Sequence, residues 1–149
     1  MVKEKINVSE LKEGDIFESG EYTVSKEESL EFAKQYDPQE FHVDSELAKE
    51  SIFGELITSG WHTAAITMRL WVESTNIEHG LVGSKVNNMN WSKPVKPGDT
   101  LRVVGKVTSL NKSKSDSNRV NVGLHNQTLD QDGDVVLEYD VKLVGFIEL

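Results

Sequence analysis

The chain has 149 residues, of which 37% are hydrophobic and 28% charged, as expected for one folded domain and not for a disordered segment. Its net charge of −9 argues against a nucleic-acid partner, and the absence of cysteine excludes disulfides and a cysteine nucleophile. The N-terminus leads into no apolar signal segment, and no apolar run is long enough to span a membrane. We therefore expect a single cytoplasmic domain covering residues 1–149.

The first predicted elements are a short strand and a helix. A strand candidate at residues 21–24 precedes a Ser-x-x-Glu capping box at 25–28, which opens a helix that ends by Tyr36. Pro38 disfavours α geometry in the residue before it. Asp37 is therefore expected on irregular backbone at the exit of this helix.

The longest apolar stretch, residues 57–75, predicts a central helix, which follows a short helix at 46–50 and a loop at 51–56. Large apolar residues recur at the spacing of one helix face, which we expect to be buried. These residues are Trp61, Ala64, Ala65, Met68, Trp71 and Val72. Ser59 is a good N-cap, so the helix start at Ser59 and Gly60 is expected to face a binding site.

The second half of the chain predicts antiparallel strands. A loop at 80–84 leads to strands at 86–91, 101–108, 119–125 and 135–149, with turns at 111–118 and 130–134. Helices followed by a meander predict an α+β fold, with a curved sheet around one buried helix. The open sheet edges predict a homodimer or a larger homo-oligomer.

Few side chains are left that could carry chemistry. The four histidines form no metal-binding motif, and nucleotide-binding and serine-hydrolase motifs are absent. Asp37 and His42, five residues apart across a proline turn, are the minimum set for moving protons. Phe41 flanks His42 with apolar surface, and the amides at Ser59 and Gly60 suit a polarised carbonyl oxygen.

Three segments, residues 36–44, 52–60 and 91–101, together resemble the MaoC-like dehydratases, a family that includes the R-specific enoyl-CoA hydratases. The resemblance runs from about residue 17 to the C-terminus. It implies a hot-dog fold, in which an antiparallel sheet wraps one long central helix and two subunits pair sheet to sheet.

The resemblance also implies an activity. Asp37 and His42 align with the catalytic Asp and His of the family, and Gly60 aligns with the glycine whose N–H polarises a thioester carbonyl. The chain is then expected to be a lyase of fatty acid metabolism that reversibly hydrates a trans-2-enoyl thioester, with enoyl-CoA as substrate and without cofactor or metal. Ser59, Phe41 and Trp61 are expected to contact this substrate.

The chain departs from the family's Asp-x-Asn-Pro-x-His motif. Gln39 stands for the Asn, Glu40 for the Pro, and Ser59 replaces the histidine that commonly precedes the glycine. Two alternatives therefore stay open. A hot-dog thioesterase commonly carries a carboxylate on its central helix, but residues 58–72 contain none. A non-catalytic acyl-binding module is the other alternative.

Four further polar residues receive simpler interpretations. His62 is expected to bond a backbone carbonyl or to lie in a subunit interface. Lys85, Lys93 and Lys96 are cations that could meet the phosphates of CoA, although a solvated surface explains them more simply.

Overall fold

The structure is a computed structural model, and it describes residues 4–149. Its helices are α1 (Lys26–Tyr36), α2 (Glu40–Val43), α3 (Ser45–Lys49) and α4 (Gly60–Thr75). Its strands are β1 (Ile16–Glu18), β2 (Tyr22–Thr23), β3 (Leu81–Trp91), β4 (Thr100–Lys112), β5 (Arg119–Leu129) and β6 (Val135–Phe146). The predicted strands after the helices are present, and β4, β5 and β6 form the predicted meander, whereas β3 pairs with β6 and not with β4.

The six strands form one antiparallel sheet in the order β1-β4-β5-β6-β3, with the short β2 also paired to β4. Strand β3 forms one edge of this sheet. Along β4, β5 and β6 buried residues alternate with more exposed ones, as expected where one sheet face is covered. Residues Ile66, Leu70 and Trp71 of α4 share the buried core with these strands. The predicted α+β architecture, a sheet built around one long helix, is confirmed.

Helix α4 begins where its capping signal predicts. The Ser59 side chain accepts a hydrogen bond from the Trp61 N–H, and the first helical residue is Gly60. The helix ends at Thr75, where Asn76 adopts the left-handed conformation with φ of 45°.

The predicted buried face of α4 is largely wrong. Trp61, Met68 and Val72 are 60%, 46% and 49% exposed. The buried positions are His62, Thr63, Ile66, Thr67, Leu70, Trp71, Ser74 and Thr75. Hydroxyl groups can occupy this inner face because their hydrogen bonds are satisfied locally. The Thr67 hydroxyl, for example, contacts the Thr63 carbonyl at 2.8 Å and the Thr128 hydroxyl at 2.6 Å.

Two local predictions also need correction. Residues 80–84 are not a loop, because β3 begins at Leu81 and pairs Leu81 with Gly145 and Gly83 with Leu143. Pairing with β6 overrides the weak strand preference of this glycine-containing segment. His42 lies on the one-turn helix α2 and not on irregular backbone. None of the helices within residues 4–149 combines the length and the apolar character that crossing a membrane requires.

Candidate active site

Three helix ends meet at the candidate site. Asp37 ends α1 with φ of −150° and ψ of 69°, outside the α region, as Pro38 predicts. The Gln39 N–H bonds the Asp37 carbonyl at 2.8 Å, which closes a three-residue turn centred on Pro38. This turn leads directly into α2, which carries His42. The beginning of α4, capped by Ser59, completes the site.

The structure brings Asp37 and His42 into contact. His42 Nε2 lies 3.3 Å from Asp37 Oδ2, and both side chains are largely buried. The other ring nitrogen, Nδ1, lies 2.8 Å from the carbonyl oxygen of Ile57. A carbonyl oxygen only accepts, so Nδ1 carries a proton and Nε2 is the nitrogen available for acid–base chemistry.

Two neutral side chains also bind the Asp37 carboxylate. The Ser59 hydroxyl donates to Oδ2 at 2.7 Å, and the Gln39 amide donates to Oδ1 at 2.7 Å. Burial raises the pKa of Asp37, but the donors Gln39 and Ser59 and the charge of His42 lower it, and the net pKa lies below the ordinary value. Asp37 is therefore held as a carboxylate that contacts an imidazole.

Gly60 supplies the amide end of α4. Among the hydrogen bonds of the described residues, none engages the Gly60 N–H. Its carbonyl accepts from Trp91 Nε1 at 2.9 Å, and a Cβ built on Gly60 would lie 2.7 Å from that nitrogen. Only glycine fits below this indole. The free N–H at the positive end of a helix is a suitable donor for a carbonyl oxygen that gains negative charge.

His42 and Gly60 border a cavity of about 340 Å³, whereas Asp37 lies behind His42 and is not among the lining residues. His42, Gly60 and Phe41 are among the residues that line it, and Phe53 and Val95 add apolar surface. The Phe41 ring contacts His42 edge-on, with ring centres 4.6 Å apart. The cavity thus joins an imidazole, a free amide and an apolar wall, which is the arrangement expected for a small site that binds an acyl group.

Two of the expected substrate contacts do not line this cavity. Ser59 is fully buried, and its hydroxyl is directed at Asp37. The exposed ring of Trp61 packs edge-on against Trp91, with centres 5.2 Å apart, and it is Trp91 that lines the cavity. Of the three residues expected to contact substrate, Phe41 alone is among the lining residues.

Gln39 and His62 are the residues that sequence reasoning missed. Gln39 was visible only as a departure from a motif, although its amide can reach back two residues to Asp37. Within residues 4–149, His62 makes no bond to a backbone carbonyl. It stacks on Phe32 at 4.6 Å, its Nε2 lies 3.9 Å from a Glu28 oxygen, and its buried Nδ1 has no partner among the described residues. Burial lowers the pKa of His62, against the opposing charge of Glu28.

The lysines near the site are occupied by carboxylates. Lys93 Nζ bonds Asp130 at 2.6 Å and Asp134 at 2.9 Å, and Lys96 Nζ lies 3.3 Å from Glu55. With Asp132, the two aspartates at Lys93 form the one group within residues 4–149 whose geometry could hold a metal ion. Since the lysine offsets one of the three negative charges, the charge that would attract a cation is reduced.

Comparison with known proteins agrees with this fold. Residues 10–129 match the model of a family described as MaoC like domain. The uncharacterized protein YdeM of Bacillus subtilis (strain 168) is 35% identical over 103 residues, which cover 68% of this chain and 73% of that protein.

Two solved structures are similar. A MaoC-like dehydratase from Rhodospirillum rubrum has a TM-score of 0.89 and 40% identity, covering 95% of this chain and 97% of the other. The R-hydratase PhaJ1 from Pseudomonas aeruginosa has a TM-score of 0.75 and 23% identity, covering 94% and 85%. The second likeness concerns the fold alone. The expected hot-dog fold is thereby confirmed.

Proposed function

This chain belongs to the MaoC-like domain family, and we propose that it is a hydro-lyase that reversibly adds water to a trans-2-enoyl thioester, forming a 3-hydroxyacyl thioester. The observation that carries the proposal is the contact of 3.3 Å between Asp37 and His42, beside a cavity that His42 and Gly60 both line. General acid–base chemistry and a polarised carbonyl are the two requirements of this reaction.

The proposed mechanism assigns a role to each group. The thioester carbonyl accepts from the Gly60 N–H, which draws electrons from the double bond and makes the β-carbon electrophilic. Asp37 and His42 hold a water molecule and take up one of its protons as the hydroxyl adds to the β-carbon. They then return a proton to the α-carbon. The reverse sequence removes water.

We expect CoA as the thioester carrier and fatty acid metabolism in the cytoplasm as the setting. The acyl chain would lie against the apolar cavity wall formed by Phe41, Phe53, Ile57 and Val95. Because Lys93 and Lys96 are bound to carboxylates, neither is a free partner for the phosphates of CoA. Cell fractionation would test the location.

We also propose that two copies of the chain pair along the β3 edge. Three exposed apolar residues of α4 and three of β3 support this pairing: Trp61, Met68, Val72, Val82, Val86 and Trp91. An unpaired edge strand with apolar side chains is a surface that a second copy can cover. We expect a dimer in sedimentation experiments and a monomer after Val86→Arg. A monomeric parent chain would contradict this pairing.

One assay tests the proposed activity against its rivals. Purified protein is mixed with crotonyl-CoA while the enone absorbance and the release of free thiol are followed together. Loss of the enone without thiol supports hydration, and thiol release indicates a thioesterase. A panel of longer enoyl-CoA substrates distinguishes a wrong chain length from a binding module, which would convert none of them.

A further inference from the structure

Ser59 occupies an unusual position among the serines of this chain. Its side chain is fully buried, and the hydroxyl oxygen contacts two helix ends at once. It accepts from the Trp61 N–H of α4 at 3.3 Å and donates to Asp37 Oδ2, at the end of α1, at 2.7 Å. A hydroxyl has one proton to donate, and this proton goes to the carboxylate.

The carboxylate oxygen that accepts this hydrogen bond is also the one placed for the proposed acid–base chemistry. Asp37 Oδ2 is also the atom that faces His42 Nε2 at 3.3 Å. A donor fixed by a buried helix cap restricts rotation of the carboxyl group, so Oδ2 remains directed at the imidazole. The Gln39 amide holds the other oxygen from an exposed position. Two donors therefore orient the Asp37 carboxylate, and Ser59 is the buried one.

We propose that Ser59 is a positioning residue, which acts on the reaction through Asp37 and does not contact the substrate. The proposal rests on the proposed hydration activity. It predicts that removing the hydroxyl leaves substrate binding nearly unchanged and slows the chemical step, because only the orientation and ionisation of the carboxylate change. In the described part of the chain, His42 is the one charged group that lowers the pKa of Asp37, and the Ser59 variants leave His42 in place.

A structural role in capping α4 is the rival explanation, and the choice of variants separates the two. Ser59→Ala removes both the hydroxyl and the cap. Ser59→Gly removes the hydroxyl but retains most of the capping, since glycine is a tolerated N-cap. Ser59→Thr keeps the hydroxyl. Ser29 is the matched control, because it is equally buried and its hydroxyl contacts Thr58 at 2.9 Å and not Asp37.

The first measurement does not depend on activity. The Asp37 carboxyl carbon is titrated by ¹³C NMR, with its signal identified by comparison with Asp37→Asn. Since a hydrogen bond to the ionised form lowers a carboxyl pKa, we expect the pKa of Asp37 to rise in Ser59→Ala and Ser59→Gly. Ser59→Thr and Ser29→Ala are expected to titrate as the parent chain does.

The second measurement is the kinetics of hydration. We expect kcat to fall about 10- to 100-fold in Ser59→Ala and Ser59→Gly, with KM within about threefold of the parent value. Ser59→Thr is expected to recover most of the loss. If the parent chain hydrates no enoyl thioester, the proposed function fails while the titration still decides the role of Ser59. An unchanged Asp37 titration in both variants, or an equal shift in Ser29→Ala, would overturn the proposal.

Discussion

Residues 4–149 contain two Asp–His pairs, and the two pairs differ in burial and in surroundings. Asp37 and His42 lie on neighbouring helix ends and are largely buried, and His42 lines a cavity. Asp140 and His125 lie on β6 and β5, about one third or more exposed, with 2.8 Å between Oδ1 and Nδ1. His125 Nε2 also lies 3.6 Å from Glu138.

The distance between carboxylate oxygen and ring nitrogen is shorter for Asp140 and His125, although this pair is not at the candidate site. An amide assists each carboxylate, Gln39 for Asp37 and Asn88 for Asp140. What distinguishes the first pair is burial, a ring nitrogen fixed on a backbone carbonyl, and the cavity with its free amide. Proximity of an acid and an imidazole therefore does not identify a catalytic pair. The surroundings do, and each prediction below tests one pair against the other.

The largest expected effect is that of Asp37→Asn. The amide cannot take up a proton, so turnover should fall by at least about 10²-fold while the fold is retained. Asp140→Asn is the matched control, and its turnover should stay within about twofold of the parent. Enone hydration and circular dichroism provide the two measurements. A folded Asp37→Asn variant with full activity would remove the catalytic assignment.

Gly60→Ala tests the amide beside the first pair. The added methyl would overlap the Trp91 indole, so the indole or the helix start must shift and turnover should fall about 10-fold or more. Gly20→Ala is the control, because a Cβ there meets nothing within 4 Å and φ is not positive. Adding Trp91→Leu to Gly60→Ala should restore part of the activity. Equal activity of both single variants would contradict the close packing at Gly60.

A third prediction concerns pH, and it compares Gln39 and Asn88, whose side-chain amides bond the two aspartates. For Asp37 burial raises the pKa, and Gln39 and the other donors lower it to a net value below normal. For Asp140 the pKa is lowered by Asn88 first and His125 second. Gln39→Ala should therefore raise the pKa of Asp37 and move the acidic limb of kcat/KM to higher pH. Asn88→Ala should raise the pKa of Asp140 without moving that limb.

The lowered pKa values of Asp37 and Asp140 also determine how the free energy of unfolding changes with pH. A carboxyl whose pKa is lower in the folded state adds stability above its unfolded pKa, near 4. That contribution is lost as pH falls through the lowered folded value. Urea unfolding below about pH 4 should therefore show a shallower loss of stability in both amide variants than in the parent. An identical pH dependence would argue against these hydrogen bonds in solution.

The smallest expected effect is that of His125→Asn. Ion pairs that are this exposed contribute about 0–1 kcal/mol and weaken with salt. The free energy of unfolding should change by less than about 1 kcal/mol, and turnover should not change. A loss of activity comparable to that of Asp37→Asn would show that the outer face of the sheet takes part in the reaction.

Local sequence signals predicted the elements that local chemistry controls. The capping box before α1, the proline after Asp37 and the cap at Ser59 are formed by neighbouring residues, and the structure has all three. Asp37 and His42 come into contact for the same reason, since one short turn joins the two residues.

The errors concern contacts between distant segments. The inner face of α4 carries hydroxyl side chains, and one of them, Thr67, contacts Thr128 of β5, which no helical periodicity reveals. The start of β3 depends on pairing with β6. The bond from Ser59 to Asp37 joins residues 22 positions apart. A serine before a helix predicts a cap, but its second partner is known only when the helices are placed.

The indole of Trp91 has a practical consequence. Two of the three tryptophans of the chain, Trp61 and Trp91, contact each other beside Gly60, while Trp71 lies in the core. A thioester that reaches the Gly60 amide would enter the immediate surroundings of this fluorescent pair. Intrinsic emission can thus report occupancy of the cavity in real time, without a label and even with acyl compounds that the protein does not convert.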